Sequence, residues 1–230
     1  MIDLDNVELT LPSTAGPVRI LRGLSLRVAR GETLSVVGPS GSGKSSMMMV
    51  IAGLERPTSG KVVIDGTDFA GQDEDALARF RRDSIGIVFQ DYHLVPTMTA
   101  LENVAIPLEL AGRDDAFARA GACLDMVGLG HRLTHYPGQL SGGEQQRTAL
   151  ARAFATEPGL ILADEPTGNL DDETGAQVIG LLFDLQARHD TTLLLITHDP
   201  QVAGRCRRGV RLVDGDIRDE DAGAAGPGRA

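Results

Sequence analysis

Residues 38–45 carry the pattern that most restricts how this chain can fold. They read Gly38-Pro39-Ser40-Gly41-Ser42-Gly43-Lys44-Ser45, a glycine and four residues followed by Gly-Lys-Ser. An apolar run at 34–37 precedes the pattern, and a helical stretch at 45–54 follows it. Glycines let backbone amides turn inward around an anion, and a helix start adds a favourable dipole. The order of strand, loop and helix therefore predicts a phosphate-binding loop, or P-loop.

Two side chains of this loop have predicted roles. Lys44 reaches the terminal phosphates of a nucleotide, and the Ser45 hydroxyl ligates Mg²⁺. Of the 22 basic residues only Lys44 and Lys61 are lysine, which indicates a position where arginine does not substitute. A glycine- and serine-rich turn is the alternative interpretation. We predict that the nucleotide contacts extend to Ser46. The ligands expected for this loop are ATP and Mg²⁺.

Strand-like and helical segments alternate along the chain, which predicts an α/β fold with a P-loop NTPase core. Antiparallel strands are expected at 7–11, 20–28 and 61–65, and buried, mostly parallel strands at 34–37, 85–89, 160–163 and 193–197. Helical spacing predicts an inserted helical subdomain at about 91–158, and Asp214-Gly215 predicts a hairpin over 211–218. We expect one domain over 1–219, with its antiparallel β subdomain, and a disordered tail at 220–230.

Composition excludes several classes of protein. The net charge of −10 and the 3% aromatic content argue against a nucleic-acid-binding protein, which needs a basic face and stacking surfaces. The longest apolar stretch, 47–54, is far shorter than the ~20 residues that span a bilayer. The sequence therefore predicts a cytoplasmic chain without direct membrane insertion, and any membrane component must be another polypeptide.

Two acidic residues end the apolar run at 160–163. Successive strand residues point to opposite faces, so Asp164 and Glu165 have different roles while the strand stays regular. Asp164 is predicted to face the metal, and Glu165 is predicted to act as general base on the attacking water. A simple Asp-Glu-Pro turn is the alternative, and the presence of the P-loop argues against it.

A second helix start has the chemistry of an anion site. Ser141 can cap a helix running to about residue 156, and Gly142 and Gly143 leave its backbone amides open. A plain helix cap needs only the serine. Because the P-loop already serves the phosphates of its own nucleotide, this second site indicates a partner molecule.

The segment Leu140-Ser141-Gly142-Gly143-Glu144-Gln145-Gln146-Arg147 resembles the signature of the ABC ATPases. That resemblance implies that Ser141, Gly142, Gly143 and Glu144 contact the nucleotide of a second copy. It also implies a metal and water contact for Gln90, a role across the dimer for Asp171 in a Gly-Asn-Leu-Asp segment, and a γ-phosphate contact for His198 in Thr-His-Asp.

Further segments narrow the resemblance to the lipoprotein-releasing and macrolide-export ATPases, with the cell-division ATPase close by. They are 54–60, 87–90, 101–104 and 163–171. This subgroup implies a homodimer that drives a separate membrane permease and lies peripherally at the inner face of the membrane through that permease. The alternative is a soluble or cell-division-type ABC ATPase not coupled to transport.

One position departs from the family pattern. The family places an aromatic residue before the P-loop to stack on adenine, and the corresponding residue here is Leu11. An aliphatic platform can still pack against a base, but the sequence leaves open how strictly adenine is preferred over guanine. The transported substrate is also left open, because the permease would determine it.

Overall fold

The computed structural model of the chain describes residues 1–14 and 16–222. The strands are β1 (Ile2–Leu11), β2 (Val18–Val28), β3 (Thr33–Val37), β4 (Ser59–Ile64), β5 (Thr67–Asp68), β6 (Ile85–Val88), β7 (Leu160–Asp164), β8 (Thr192–Ile196), β9 (Arg208–Val213) and β10 (Asp216–Ala222). The α-helices are α1 (Lys44–Ile51), α2 (Glu74–Ser84), α3 (Ala100–Leu110), α4 (Ala116–Met126), α5 (Gly142–Phe154), α6 (Asp172–His189) and α7 (Pro200–Ala203).

These elements form two compact units. The first comprises Met1–Gln72 together with the chain from Thr192 onward, and the second comprises Asp73–Thr191. The predicted helical segment at 91–158 lies within the second unit. This unit extends beyond the predicted segment at both ends. The unit is longer because α5 packs against β6 and α6. Strands β6 and β7 and helices α2 and α6 therefore belong to the same unit as the helical segment.

The first unit contains an antiparallel sheet and a mainly parallel group of strands. The antiparallel strands lie in the order β2-β1-β4-β5, with Leu4 paired to Leu26 on one side and to Val62 on the other. In the second group, β3 pairs in parallel with both β8 and β9, and β9 continues into the antiparallel hairpin with β10. Met47 and Met48 of α1 are fully buried, so they are core residues of this unit.

The second unit pairs β6 and β7 in parallel and surrounds them with helices. Residues 160–163 of β7 are buried, as an apolar run in a covered strand requires. Local sequence fixes the helix starts: Asp73 caps α2 by accepting from the Ala76 amide, and Thr99 and Glu102 form a capping box at α3. No helix in the described part of the chain has the length and apolar character needed to cross a membrane.

The predicted tail at 220–230 differs from the structure at its start. Strand β10 continues to Ala222, because Glu220, Asp221 and Ala222 pair with β9. The strand thus overlaps the first three residues of the expected tail. Residues 223–230 lie outside the described residues.

Candidate functional site

The predicted site residues divide between the two units. The P-loop, Leu11 and His198 belong to the first unit. Gln90, Asp164, Glu165, Asp171 and the 141–144 helix start belong to the second.

The P-loop backbone turns in the way that its glycines allow. Gly41 and Gly43 have φ of 78° and 102°, a region that residues with a Cβ rarely adopt, and Gly43 is the N-cap of α1. Lys44 Nζ donates to the carbonyl oxygens of Gly38 and Pro39, at 2.9 Å each. These bonds hold the ammonium group over the loop, while Ser45 is exposed one residue further on.

Residues from the β9–β10 hairpin form the back wall of this loop. A Cβ built on Gly38 would collide with the Leu212 carbonyl, so only glycine fits there. The Gly215 amide donates to the Ser42 carbonyl over 3.1 Å, and the Gly215 carbonyl accepts from the Arg22 amide over 2.9 Å. Ser42 Oγ is buried and has no hydrogen-bond partner among the described residues, which leaves a hydroxyl available inside the cradle.

His198 follows the strand next to β3. Since β3 and β8 run in parallel with Val36 opposite Ile196, the P-loop and His198 leave the same edge of these strands. The Asp199 amide donates to Thr197 Oγ1 over 3.1 Å, and Asp199 caps α7. His198 is exposed between these two fixed neighbours.

Leu11 lies at the end of β1, opposite Val18 of β2. Leu11 is half-buried, and Val18 is 46% exposed. The surface at this position is therefore aliphatic.

In the second unit, Gln90 and Glu165 follow a parallel pair of strands. Val88 is opposite Ala163, and each functional residue comes two positions later. Strand β7 ends at Asp164, and Glu165 has a φ of 45°. The chain is therefore no longer a regular strand at Glu165. The left-handed backbone of Glu165, and not strand alternation, sets the direction of its side chain. Left-handed residues other than glycine are concentrated at functional sites.

Asn169 holds the backbone and side chain of Gln90. Asn169 Nδ2 donates to the Gln90 carbonyl over 3.1 Å and to Asp91 Oδ1 over 2.9 Å, and Gln90 Nε2 donates to Asn169 Oδ1 over 3.3 Å. In the sequence, Asn169 is notable only as part of the Gly-Asn-Leu-Asp segment. Its side chain was not predicted to contact Gln90, because nothing in the sequence relates two positions 79 residues apart.

The helix start at 141 is a capping box. Ser141 Oγ accepts from the Glu144 amide over 3.2 Å, and Glu144 Oε2 accepts from the Ser141 amide over 2.8 Å. Arg132 Nε donates to Glu144 Oε1 over 2.9 Å. The hydrogen bond from the Ser141 amide, followed by those from Arg132 and the Ser141 hydroxyl, keeps the pKa of Glu144 below its ordinary value. Ser141 itself is exposed.

The two glycines after Ser141 also have a packing reason. A Cβ built on Gly143 would collide with the Thr174 side chain. One built on Gly142 would lie 3.1 Å from the Tyr92 hydroxyl and 3.3 Å from Leu170 Cδ2. From sequence alone, these glycines are predicted only to leave the backbone amides open.

Asp171 caps α6, because its Oδ1 accepts from the Thr174 amide over 3.0 Å. That hydrogen bond lowers the pKa of the Asp171 carboxyl. Asp171 thus has a local structural role in addition to the one that the family resemblance implies.

The predicted metal ligands suit Mg²⁺. Ser45, Gln90 and Asp164 offer hydroxyl, amide and carboxylate oxygens, which this hard cation prefers. Among the described residues, no group of three His, Cys, Asp or Glu side chains could hold a metal ion.

Comparison with known proteins gives one family. The ABC transporter family model matches residues 21–168. The chain is 47% identical over 222 residues to the ABC transporter ATP-binding protein YbbA of Escherichia coli (strain K12), covering 96% of this chain and 97% of YbbA. It is 50% identical over 218 residues to the lipoprotein-releasing system ATP-binding protein LolD of Geobacter metallireducens, covering 93% and 97%.

A third relative is longer. The macrolide export ATP-binding/permease protein MacB of Marinobacter nauticus is 46% identical over 99% of this chain, but the match covers only 35% of MacB. Among solved structures, the ATP-binding cassette MJ0796 in a dimeric post-hydrolysis state with ADP and Pi matches with a TM-score of 0.91 and 41% identity, over 98% of this chain and 100% of that one.

Proposed function

The chain belongs to the ABC transporter family, and we propose that it is an ATP-hydrolysing subunit that powers a separate membrane permease through ATP-driven closure of a homodimer. The observation that carries this proposal is a pair of glycine-flanked helix starts, one at Gly43 and one at Ser141, each of which can offer backbone amides to a phosphate. One chain needs only the first for its own nucleotide. The second is exposed and capped, and it serves the nucleotide of the partner subunit.

Comparison with the relatives supports the assignment of a separate permease. MacB combines ATP-binding and permease functions in one polypeptide, and this chain matches about a third of it. LolD is named as the ATP-binding protein of a system and is matched over nearly its full length. MJ0796 forms a dimer in its structure with ADP and Pi.

In the proposed reaction, the P-loop amides and Lys44 bind the phosphates of MgATP. Glu165 takes a proton from the attacking water, and His198 holds the γ-phosphate in line with that water. Ser141 and Gly143 of the partner subunit complete the contacts to the γ-phosphate. Leu11 packs against the base.

Ser45, Asp164 and Gln90 are the proposed ligands of Mg²⁺. When bound, the cation neutralises charge on the transferring phosphoryl group.

The segment after Gln90 is the proposed contact for the permease. The apolar and aromatic side chains of this segment are all at least partly exposed, and those of His93 and Pro96 are exposed. The segment's apolar and aromatic residues are Tyr92, His93, Leu94, Pro96, Met98 and Leu101. A cavity of about 240 Å³ lies in the same unit, lined by Arg82, Ile87, Ile106, Pro107 and Leu110 among others. Through such a contact the chain would lie at the inner face of the membrane.

The test is steady-state ATP hydrolysis by the purified chain, with GTP as competitor. We expect turnover that requires added Mg²⁺, and a loss of at least about a hundredfold in kcat for Glu165→Gln, since general-base catalysis contributes that much. Glu165→Gln should retain ATP and elute as a dimer.

Glu157→Gln is the matched control. Glu157 is also a glutamate with a left-handed backbone, at φ 54°, but it pairs with Arg119 and has no proposed role in catalysis. It should keep wild-type turnover. Equal turnover by wild type and Glu165→Gln would contradict the assignment of Glu165, and a wild type that binds no ATP would contradict the proposed function.

A further inference from the structure

The turn that follows Gln90 has an unusual backbone. Tyr92 and His93 are consecutive residues with φ of 58° and 46°. Each left-handed residue other than glycine costs about 1–2 kcal/mol of conformational energy. Such a turn persists only where its surroundings hold it.

Arg152, on α5, holds this turn from one side. Its NH1 donates to the His93 carbonyl over 2.6 Å, and its NH2 donates to the Tyr92 carbonyl over 2.7 Å. One guanidinium group therefore donates to two successive carbonyls, each through a different nitrogen of its planar fork. Burial lowers the pKa of Arg152, which indicates that its charge is poorly hydrated.

Asn169 holds the same turn from the other side, through its bonds to the Gln90 carbonyl and the Asp91 carboxylate. Residues 90–93 are thus fixed between the C-terminal half of α5 and the segment before α6. Arg152 also lines the cavity described above, beside Ile87, Pro107 and Leu110. An occupant of that cavity would meet the same guanidinium group that fixes the turn.

We propose that Arg152 is a positioning residue for Gln90. By donating hydrogen bonds to the Tyr92 and His93 carbonyls, it fixes the position of the Gln90 side-chain amide. It also connects that amide to helix α5, whose N-terminal end carries Ser141. This inference rests on the proposed function. It assigns no contact between Arg152 and the nucleotide.

The experiment is a double-mutant cycle in ATP hydrolysis with Arg152→Gln, Gln90→Ala and the double variant. Because the P-loop amides and Lys44 bind the phosphates without Gln90, Arg152→Gln should lower kcat by about tenfold or more, as displaced catalytic groups do, and change KM for MgATP by no more than about twofold. In the Gln90→Ala background the same substitution should change kcat by less than about twofold, since its effect passes through Gln90.

Two controls separate positioning from general damage. Arg119→Gln removes another arginine that donates to a backbone carbonyl nearby, that of Ala155 over 2.8 Å, and it should leave kcat unchanged. Arg152→Lys keeps the charge, but a lysine Nζ ends one bond short of the NH1 and NH2 nitrogens that make the two hydrogen bonds, so the variant should behave like Arg152→Gln. A thermal melt of each variant shows which of them fold.

A second readout does not require turnover. Amide hydrogen exchange over residues 90–98 should speed up in Arg152→Gln and stay at the wild-type rate in Arg119→Gln. Equal losses of kcat in the presence and absence of Gln90, rescue by Arg152→Lys, or unchanged exchange at 90–98 would each overturn the proposal. Absence of ATP hydrolysis by the wild type would instead contradict the proposed function, and the exchange measurement would still test Arg152.

Discussion

Gln146, on the helix that Ser141 caps, donates from Nε2 to the Pro166 carbonyl over 2.5 Å. Both residues are buried, and Pro166 directly follows Glu165. The hydrogen bond therefore connects helix α5 to the backbone of the proposed general base.

Gln146→Met tests this connection. The substitution keeps the volume but leaves a buried carbonyl without its donor, so we expect a loss of about 1–3 kcal/mol in the free energy of unfolding. We also expect a lower kcat, because Pro166 fixes the position of Glu165. Urea unfolding and ATP hydrolysis measure the two effects. The matched control is Gln186→Met, where a buried glutamine donates to the Thr191 carbonyl over 2.6 Å, far along α6. It should lose stability and keep kcat; a similar fall in kcat for both variants would contradict the connection.

Gly38→Ala and Gly180→Ala should change stability in opposite directions. The methyl group at Gly38 meets the Leu212 carbonyl and comes within 3.1 Å of Ser42 Oγ, so we expect a loss of about 1–3 kcal/mol and weaker ATP binding. Gly180 is inside helix α6 with open space around it, so alanine should stabilise the fold by about 0.5–1 kcal/mol. Chemical denaturation of the two variants decides this. Equal changes in the free energy of unfolding would mean that the backbone around the Leu212 carbonyl can move aside for the added methyl group at little cost.

Leu11→Tyr should tighten ATP binding. An aromatic ring stacked on adenine adds about 0.5–1.5 kcal/mol beyond the area it buries, and the present surface at Leu11 and Val18 is aliphatic. Calorimetric titration with ATP and GTP measures both the affinity and the preference. Thr10→Tyr is the control, because successive strand residues point to opposite faces. Equal gains from both variants would place the base elsewhere.

The Ser141 and Glu144 capping box predicts a pH dependence of stability. The folded pKa of Glu144 lies below its unfolded value, so its contribution is fully present above the unfolded pKa of about 4.3 and is lost as the pH falls through the folded pKa. Glu144→Gln keeps an acceptor for the Ser141 amide but loses the charge that faces Arg132.

The variant should therefore be less stable than wild type at pH 7, and the difference should shrink as the pH falls below 4. Urea midpoints between pH 3 and pH 7 test this. A difference that stays constant with pH would show that the charge of Glu144 contributes nothing.

Local patterns predicted much of the fold and of the site. Gly38–Ser45 required a strand before it and a helix after it, and β3 and α1 occupy those places. Ser141 predicted the start of α5, and Asp214-Gly215 predicted the β9–β10 hairpin. Each of these depends on residues a few positions apart.

The missed features depend on residues far apart in the chain. Arg152 and Gln146 bond to backbone carbonyls, which have no sequence signature, and Asn169 meets Gln90 only after the chain folds. The left-handed backbone at Glu165 was missed for a similar reason. Its conformation is imposed by the turn that follows β7 and not by the preference of glutamate.

The bonds of Gly215 to Ser42 and Arg22 have a consequence for the order of folding during synthesis. The P-loop residues leave the ribosome before the hairpin that supports them, which is made more than 160 residues later. A nascent chain that has not reached Gly215 cannot form the bond to the Ser42 carbonyl, so its phosphate loop lacks a back wall. Contacts this distant in sequence close slowly, because the entropy of the intervening chain must be lost first. ATP therefore binds a chain that has already reached Gly215, and it stabilises a folding step that follows synthesis of the hairpin.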